Sequence, residues 1–204
     1  MKTILIILFA TNMSLSFGQI SYQKSQPGIF KTYVNFLTND ITLEDTITVK
    51  KNYNLTDNTF RLWNSQGKKI KEPFAVSDGK SLYFRANSIE KYFTNKVNEK
   101  LRVSKNGYFR AICSNEKYIY LESFFHSMGL TDWRVGTKYR AGIIYNISKG
   151  TFTVFYTIED LNSFLKQAID AEMSDEYLDQ KLSMNTVWFA MNYLFDDEFY
   201  YKQD

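Results

Sequence analysis

Residues 74–84 read Phe74-Ala75-Val76-Ser77-Asp78-Gly79-Lys80-Ser81-Leu82-Tyr83-Phe84. Two apolar runs flank a short polar segment centred on Asp-Gly. That dipeptide supplies the two positive-φ positions of a tight hairpin turn, and aromatic and β-branched neighbours suit a pleated surface. The stretch therefore predicts an antiparallel hairpin.

The same arrangement recurs on both sides of it. Phe60 to Trp63 and Ile70 to Phe74 flank Asn64-Ser65-Gln66-Gly67-Lys68. Tyr108 to Cys113 and Tyr118 to Leu121 flank Ser114-Asn115-Glu116-Lys117, and Ala141 to Ile147 and Thr151 to Tyr156 flank Ser148-Lys149-Gly150. A further β-branched run covers Thr46 to Val49. Hairpins at this spacing describe a meander of the sandwich or barrel type. Earlier in the chain, Ile29, Tyr33, Phe36 and Leu37 have the spacing of a short amphipathic helix or turn over 28–37.

After residue 156 the period changes. Thr157 can cap a helix with Asp160 three residues on, and Ile158, Leu161, Leu165 and Ile169 form one stripe. Ser174 opens a second helical pattern with Asp175 and Glu176 in its first turn, where the dipole favours acids. Leu178, Leu182, Phe189 and Tyr193 lie near one face of it, widened by Val187, Met191 and Leu194. The expectation is one α+β domain over 19–204: an antiparallel hairpin meander with two C-terminal helices packed on it.

The N-terminus carries a different signal. Lys2 precedes the apolar run Ile4 to Ala10, and Ser16 and Gly18 stand three and one positions before Gln19. This is the layout of a secretory signal peptide over 1–18, followed by a loose polar leader over 19–27. Spanning a bilayer needs about 20 apolar residues, and no later stretch reaches that. The expected location is the periplasm or the cell exterior. Loss of Lys2 leaves 24 basic against 22 acidic side chains, a net charge of +2. So small a value argues against nucleic acid as a partner, and the clusters Lys68, Lys69, Lys71 and Lys96, Lys100, Arg102, Lys105 read as solvated loop charges.

Catalytic motifs are absent. One Cys and one His exclude disulfide frameworks and His- or Cys-rich metal centres. Cys113, set at the closed end of its hairpin beside Tyr118, lies roughly 27 Å from His126 at about 3.4 Å per strand residue, which leaves no nucleophilic dyad. Cys113 reads as a small buried residue and His126, behind Phe124 and Phe125, as a core or rim histidine. Calcium loops and phosphate-cradling glycine loops are missing as well. Half of the 22 acids fall from Glu159 onward, the pattern of a solvated helix face. No catalytic, cofactor-binding or metal-binding residue is assigned, and no cofactor is expected.

Aromatic residues are the remaining lead, at 17% of 204 residues. Tyr118 and Tyr120 share one strand face, and Tyr83 and Tyr108 can extend it into a ladder. These four form the candidate ligand-binding surface, set against the alternative that they pack in the core. A second concentration, Trp188, Phe189, Tyr193, Phe195, Phe199, Tyr200 and Tyr201, is expected to clamp the last helix to the sheet.

Three segments carry a resemblance. Pro27-Gly28-Ile29-Phe30-Lys31-Thr32-Tyr33 with Asn35-Phe36-Leu37, the hairpin Pro73 to Lys80, and the strand Ile143 to Ser148 with its Lys149-Gly150 turn and two helices resemble a family of uncharacterised exported Bacteroidota proteins. The Ser16-Phe17-Gly18-Gln19 junction is similar to signals of that phylum. The resemblance implies a compartment and a shared fold, and no activity. The functional expectation is a non-catalytic domain that binds an envelope protein or a glycan through an aromatic-bearing surface. The alternative is a carboxylate-based hydrolase of envelope glycans or peptides.

Overall fold

The strands alternate between two buried faces, and that alternation organises the whole molecule. In the computed structural model, residues 26–51, 59–94, 101–103, 107–127, 138–170 and 181–195 are described. The expected signal peptide, most of the leader and the aromatics Phe199, Tyr200 and Tyr201 lie outside them. Eleven strands occur among the described residues: β1 (Gly28–Phe30), β2 (Thr48–Lys51), β3 (Thr59–Trp63), β4 (Lys69–Ile70), β5 (Ala75–Ser77), β6 (Leu82–Arg85), β7 (Leu101–Val103), β8 (Tyr108–Ser114), β9 (Tyr118–Ser127), β10 (Lys138–Asn146) and β11 (Thr151–Val154). The helices are α1 (Tyr33–Leu37), α2 (Ala86–Ile89) running into a 3₁₀ turn at Glu90–Tyr92, α3 (Ile158–Ile169) and α4 (Met184–Leu194).

All strand pairs are antiparallel, in the order β1-β5-β6-β8-β9-β10-β11, with β2-β3-β4 attached through β3 to β8 and β7 paired with β9. The four sequence-read hairpins are all present. Two further pairs of consecutive strands, β2 with β3 and β9 with β10, join them, and the latter carries the longest ladder, from Lys138↔His126 to Asn146↔Tyr118. The result is an open α+β sheet with helices, including the C-terminal ones, packed on it.

The hairpin that opened the reading differs in its turn. Only Gly79 has positive φ, at 85°, and Asp78 does not. The strands end at Ser77 and restart at Leu82, joined by four residues. Asp78 Oδ1 accepts from the backbone N–H groups of Lys80 (2.8 Å) and Ser81 (2.7 Å), so its side chain closes the loop that a two-residue turn would have closed through the backbone. Residues 28–37 also divide: Gly28 to Phe30 pair with β5, and the helix begins after Thr32, whose hydroxyl accepts from Asn35 N–H. Ile29 therefore belongs to a strand and not to the helical stripe.

The sheet is strongly curled. Four strand spacings separate β6 from β11, roughly 19 Å in a flat sheet at about 4.8 Å each. Yet Phe84 and Phe152 on those strands have ring centroids 5.6 Å apart. The concave face encloses Phe30, Phe36, Phe74, Phe84, Phe109, Tyr145 and Phe152, with α1 inserted so that Phe36 meets Phe30, Phe74, Phe84 and Tyr145 at 5.1–5.7 Å. Edge-to-face aromatic pairs at these distances add about 0.5–1.5 kcal/mol each beyond burial. Both ends of the curl are covered: Leu43 bridges to Ile29 on β1, and Phe93 to Phe152 on β11. Covering edges in this way removes the unpaired backbone that invites further strands.

The convex face is covered too, by two different layers. On the β1–β8 side, β2-β3-β4 bury Ile47, Phe60, Leu62 and Ile70 against Ile29, Val76, Tyr83 and Tyr108. On the β9–β10 side, α3 and α4 bury Leu161, Leu165, Val187, Ala190, Met191 and Leu194 against Tyr118, Tyr120 and Ile144. Helix α3 begins as read, with Thr157 and Asp160 forming a reciprocal cap. The helix start read at Ser174, with Asp175, Glu176 and Leu178, lies outside the described residues. Residues 181–183 are not helical, and α4 starts after Ser183, whose Oγ accepts from Thr186 N–H. From that start Val187, Ala190, Met191 and Leu194 face inward while Phe189 and Tyr193 point out. No helix among the described residues is long and apolar enough to cross a membrane.

Gly142 on β10 makes the α4 interface possible. A Cβ there would lie 2.8 Å from Val187 Cγ1 and 3.0 Å from the Tyr120 ring. Gly142→Ala is expected to destabilise the fold by about 1–3 kcal/mol through overpacking. Urea denaturation measures this, and an unchanged midpoint would show that the α4 contact is looser than described.

Candidate functional site

The strand β9 alternates Ile119 and Leu121 toward the concave core and Tyr118, Tyr120 and Glu122 toward the helices. The last of these is a carboxylate whose side chain has no solvent exposure. A charge so placed is costly unless paired and hydrogen-bonded. It is both. Glu122 lies opposite Gly142, so Arg140, two residues along β10, is its diagonal neighbour on the same face.

Glu122 Oε2 accepts from Arg140 Nε at 2.7 Å and also from Nη2, while Oε1 accepts from the Tyr120 hydroxyl at 3.0 Å and from Trp188 Nε1 at 2.7 Å. The Arg140 guanidinium also sits over the Trp188 ring, 5.1 Å from its centroid. Burial, then the Glu122 charge, hold the Tyr120 phenol well above its ordinary range. Four donors occupy the four lone-pair positions a carboxylate offers. The cluster is saturated, and its consequence is mechanical: it fastens Trp188, and with it α4, to the sheet.

The C-terminal end of α4 is fastened by Asn115. In the β8–β9 turn its Oδ1 accepts from Lys117 and Tyr118 N–H at 2.9 and 2.8 Å, and its Nδ2 donates to the Leu194 carbonyl at 3.3 Å. That carbonyl is among those a helix C-terminus leaves without an internal partner. Held through Trp188 and at its C-terminal end, α4 presents Phe189 and Tyr193 one turn apart on its outer face, 71% and 70% exposed.

Tyr193 borders a cleft of about 800 Å³, formed where α3 ends, α4 ends and the β8–β9 turn passes between them. Asn115, Glu116, Lys117, Tyr118, Asn192 and Tyr193 bring amide, charged and aromatic groups to it, with Ala168 and Ile169 as its apolar wall. The Asn192 Oδ1 is buried with no hydrogen-bond partner among the described residues. Tyr118 packs edge-on against Phe164 at 5.3 Å, and burial raises its phenol.

A second cleft, about 480 Å³, runs along the β10–β11 turn and α3 and is lined by Asn146, Thr151, Thr153, Ser163 and Gln167, with Glu159 and Asp160 at one end. Asp160 Oδ2 accepts from Tyr156 and Thr157 N–H, both at 3.0 Å, so it is taken up in capping. A hydrogen bond with Thr157 holds the Glu159 carboxyl below its usual range. A general acid needs the opposite displacement.

The four tyrosines of the expected ladder do share the convex face, but little of any of them is exposed. Tyr83, Tyr108, Tyr118 and Tyr120 are 4%, 3%, 8% and 0% exposed. The first two lie under β2-β3-β4 and the last two under the helices. Only Tyr118 reaches a cleft of the α4 side, at its edge. Tyr108 lines a separate one of about 420 Å³ between β4 and β6.

Cys113 is half-buried against the α4 cluster rather than fully enclosed. An irregularity between Ala111 and Cys113 shifts its partner to Tyr120 instead of Tyr118. His126 follows Tyr120 by six residues on the same strand, so the two backbones stand about 20 Å apart along it. Sequence reading missed Glu122 and Arg140, whereas Trp188 was among the aromatics expected to clamp the last helix to the sheet, as its bond to Glu122 does. The signal for the first was present: a carboxylate in phase with Tyr118 and Tyr120, inside an apolar run. Comparison of the chain with protein-family models, with curated proteins and with solved structures finds no match.

The buried phenols give the fold an alkaline limit. Burial, followed by the Asp78 charge, pushes Tyr83 up to about 12 from 10, and its hydroxyl donates to Asp78 Oδ2 at 3.0 Å. The folded state keeps its proton where the unfolded chain has lost it. Stability is therefore intact below pH 10 and falls as pH rises from 10 through about 12. Chemical denaturation at a series of alkaline pH values should show this decline, with a shallower slope for Tyr83→Phe. An identical slope in both proteins would contradict it.

Proposed function

We propose that this chain is an exported, non-catalytic binding domain that holds a glycan of the cell envelope in the cleft beside the C-terminal end of α4, with Tyr193 as its stacking surface. The export component rests on the sequence of residues 1–18. The observation that carries the binding component is the placement of Tyr193: a phenol ring 70% exposed on a helix fastened through Trp188 and at its C-terminal end, bordering a cleft of about 800 Å³.

Exposed hydrophobic rings are common singly, but a rigidly held one beside a concavity has a ready use. Sugar rings present flat C–H faces that stack on aromatic rings, and hydroxyls that pair with carboxamides and charged groups. The cleft offers that combination in Tyr193, Asn115, Asn192, Glu116 and Lys117. Its volume falls within the range of about 300–1,000 Å³ typical of small-ligand sites. Hydrolysis finds less support, since Asp160 is taken up in capping, the Glu159 carboxyl is held below its usual range and the Glu122 carboxylate is saturated.

Tyr193→Ala removes the stacking surface without touching a buried contact. Titration of the mature protein with N-acetylglucosamine oligomers and with glucans, followed by calorimetry, should show saturable binding in the parent. The variant should bind roughly tenfold more weakly, a loss of about 1.4 kcal/mol. Its circular dichroism and melting temperature should stay unchanged. Equal affinity in both proteins, or no saccharide binding in the parent, would sink the proposal.

A further inference from the structure

The cleft between β4 and β6 belongs to neither of the sites above. It is lined by Lys69, Ile70, Lys71, Glu72, Arg85, Gly107 and Tyr108 and encloses about 420 Å³. The strand pairing explains why these residues meet. Lys69 and Ile70 are the two residues of β4, held to β3 through Trp63↔Lys69 and Leu62↔Ile70. Arg85 ends β6 directly opposite Tyr108, the first residue of β8. Chain segments far apart in sequence thus bring three cations and one anion to a single concavity.

Two features distinguish this concavity from an ordinary charged surface. Tyr108 is 3% exposed, and its hydroxyl has no hydrogen-bond partner among the described residues. A buried hydroxyl left unpaired is destabilising, whereas phenylalanine would fill the same space without that cost. The Arg85 side chain is also already positioned, its Nη1 donating to the Glu72 carbonyl at 3.1 Å. That bond uses one of five guanidinium donors. Tyr108 lines the cleft beside Arg85, its direct partner across the β6–β8 pair.

We infer that this cleft is a binding site for an oxyanion of the phosphate or sulfate class, with Arg85 as its principal charged donor, Lys69 and Lys71 supplying counter-charge and the Tyr108 hydroxyl donating a neutral hydrogen bond. The chemistry fits the donors. A fixed guanidinium suits a tetrahedral oxyanion through paired N–H groups, and the lysines add attraction without demanding geometry. The three cations exceed the single Glu72, so the cleft carries a positive excess that an anion would relieve. Either a free ion or a phosphate ester on a larger ligand presents that chemistry.

The test uses the mature protein with sodium phosphate, sodium sulfate and glucose 1-phosphate, each against sodium chloride at matched ionic strength. Melting temperature and calorimetric titration are the readouts. Saturable stabilisation by phosphate or by the ester is expected, because a ligand that binds only the folded state raises its stability. Tighter binding of the ester assigns the site to a phosphorylated ligand, and tighter binding of inorganic phosphate to the free ion; both uphold it.

Tyr108→Phe should melt at the same temperature or higher without anion, yet bind the anion roughly tenfold more weakly, a loss of about 1.4 kcal/mol. Arg85→Gln should lose more, and Lys71→Gln, an exposed substitution that leaves the fold intact, should lose less while lowering the salt dependence. No difference between phosphate and chloride in the parent would overturn the inference. So would unchanged anion affinity in both Tyr108→Phe and Arg85→Gln.

Discussion

One buried carboxylate governs how the two halves of this molecule meet. Glu122 stands on the convex side of β9, where its neighbours in phase are Tyr118 and Tyr120. Leaving it ionised without partners would cost several kcal/mol, so whatever covers this face must bring donors. Arg140 comes from the next strand and Trp188 from α4. An indole N–H has one direction to point, and that constraint fixes the rotation of α4 about its own axis. Hydrophobic burial alone would hold the helix on the sheet without settling which of its faces looks inward.

The outward face follows from that rotation. With Val187, Ala190, Met191 and Leu194 turned toward the sheet, Phe189 and Tyr193 have nowhere to go but solvent. Asn115 then secures the helix end beside which the cleft opens. Gly142 belongs to the same construction, since a side chain there would strike both Tyr120 and Val187. The proposed binding surface is therefore the product of contacts on the opposite side of α4, none of which touches a ligand.

The sequence disclosed local order well and coverage poorly. The four short hairpins and the Thr157 cap of α3 are set by neighbours within a few residues, and such signals survive in one chain. The β9–β10 ladder was hidden because ten residues, 128–137, separate its strands in the sequence, more than in any of the hairpins that were read. The tyrosine ladder shows a subtler limit. Alternation correctly placed Tyr83, Tyr108, Tyr118 and Tyr120 on one face, but it carries no information about whether that face is covered. Here both faces are, and the convex one by two unrelated layers. Likewise, periodicity read through Ser174 to Tyr193 as one helix put Phe189 and Tyr193 on the buried side, because the cap at Ser183 that begins α4 looks like any other serine. Among the described residues the concave core takes more aromatic side chains than either layer on the convex face, and Phe36 alone meets four other rings there.

The central claim is that Glu122 determines the seating of α4, and hydrogen exchange tests it most directly. In Glu122→Gln the charge is lost while the shape is kept, so the Arg140 and Trp188 contacts weaken without a cavity. Amides of Val187 to Leu194 should then exchange at least tenfold faster than in the parent, equivalent to about 1.4 kcal/mol of local opening. Those of Ile119 to Leu121 and Ile143 to Tyr145 should keep their protection. Equal exchange across α4 in the two proteins would contradict the account, and would mean that apolar packing alone seats the helix.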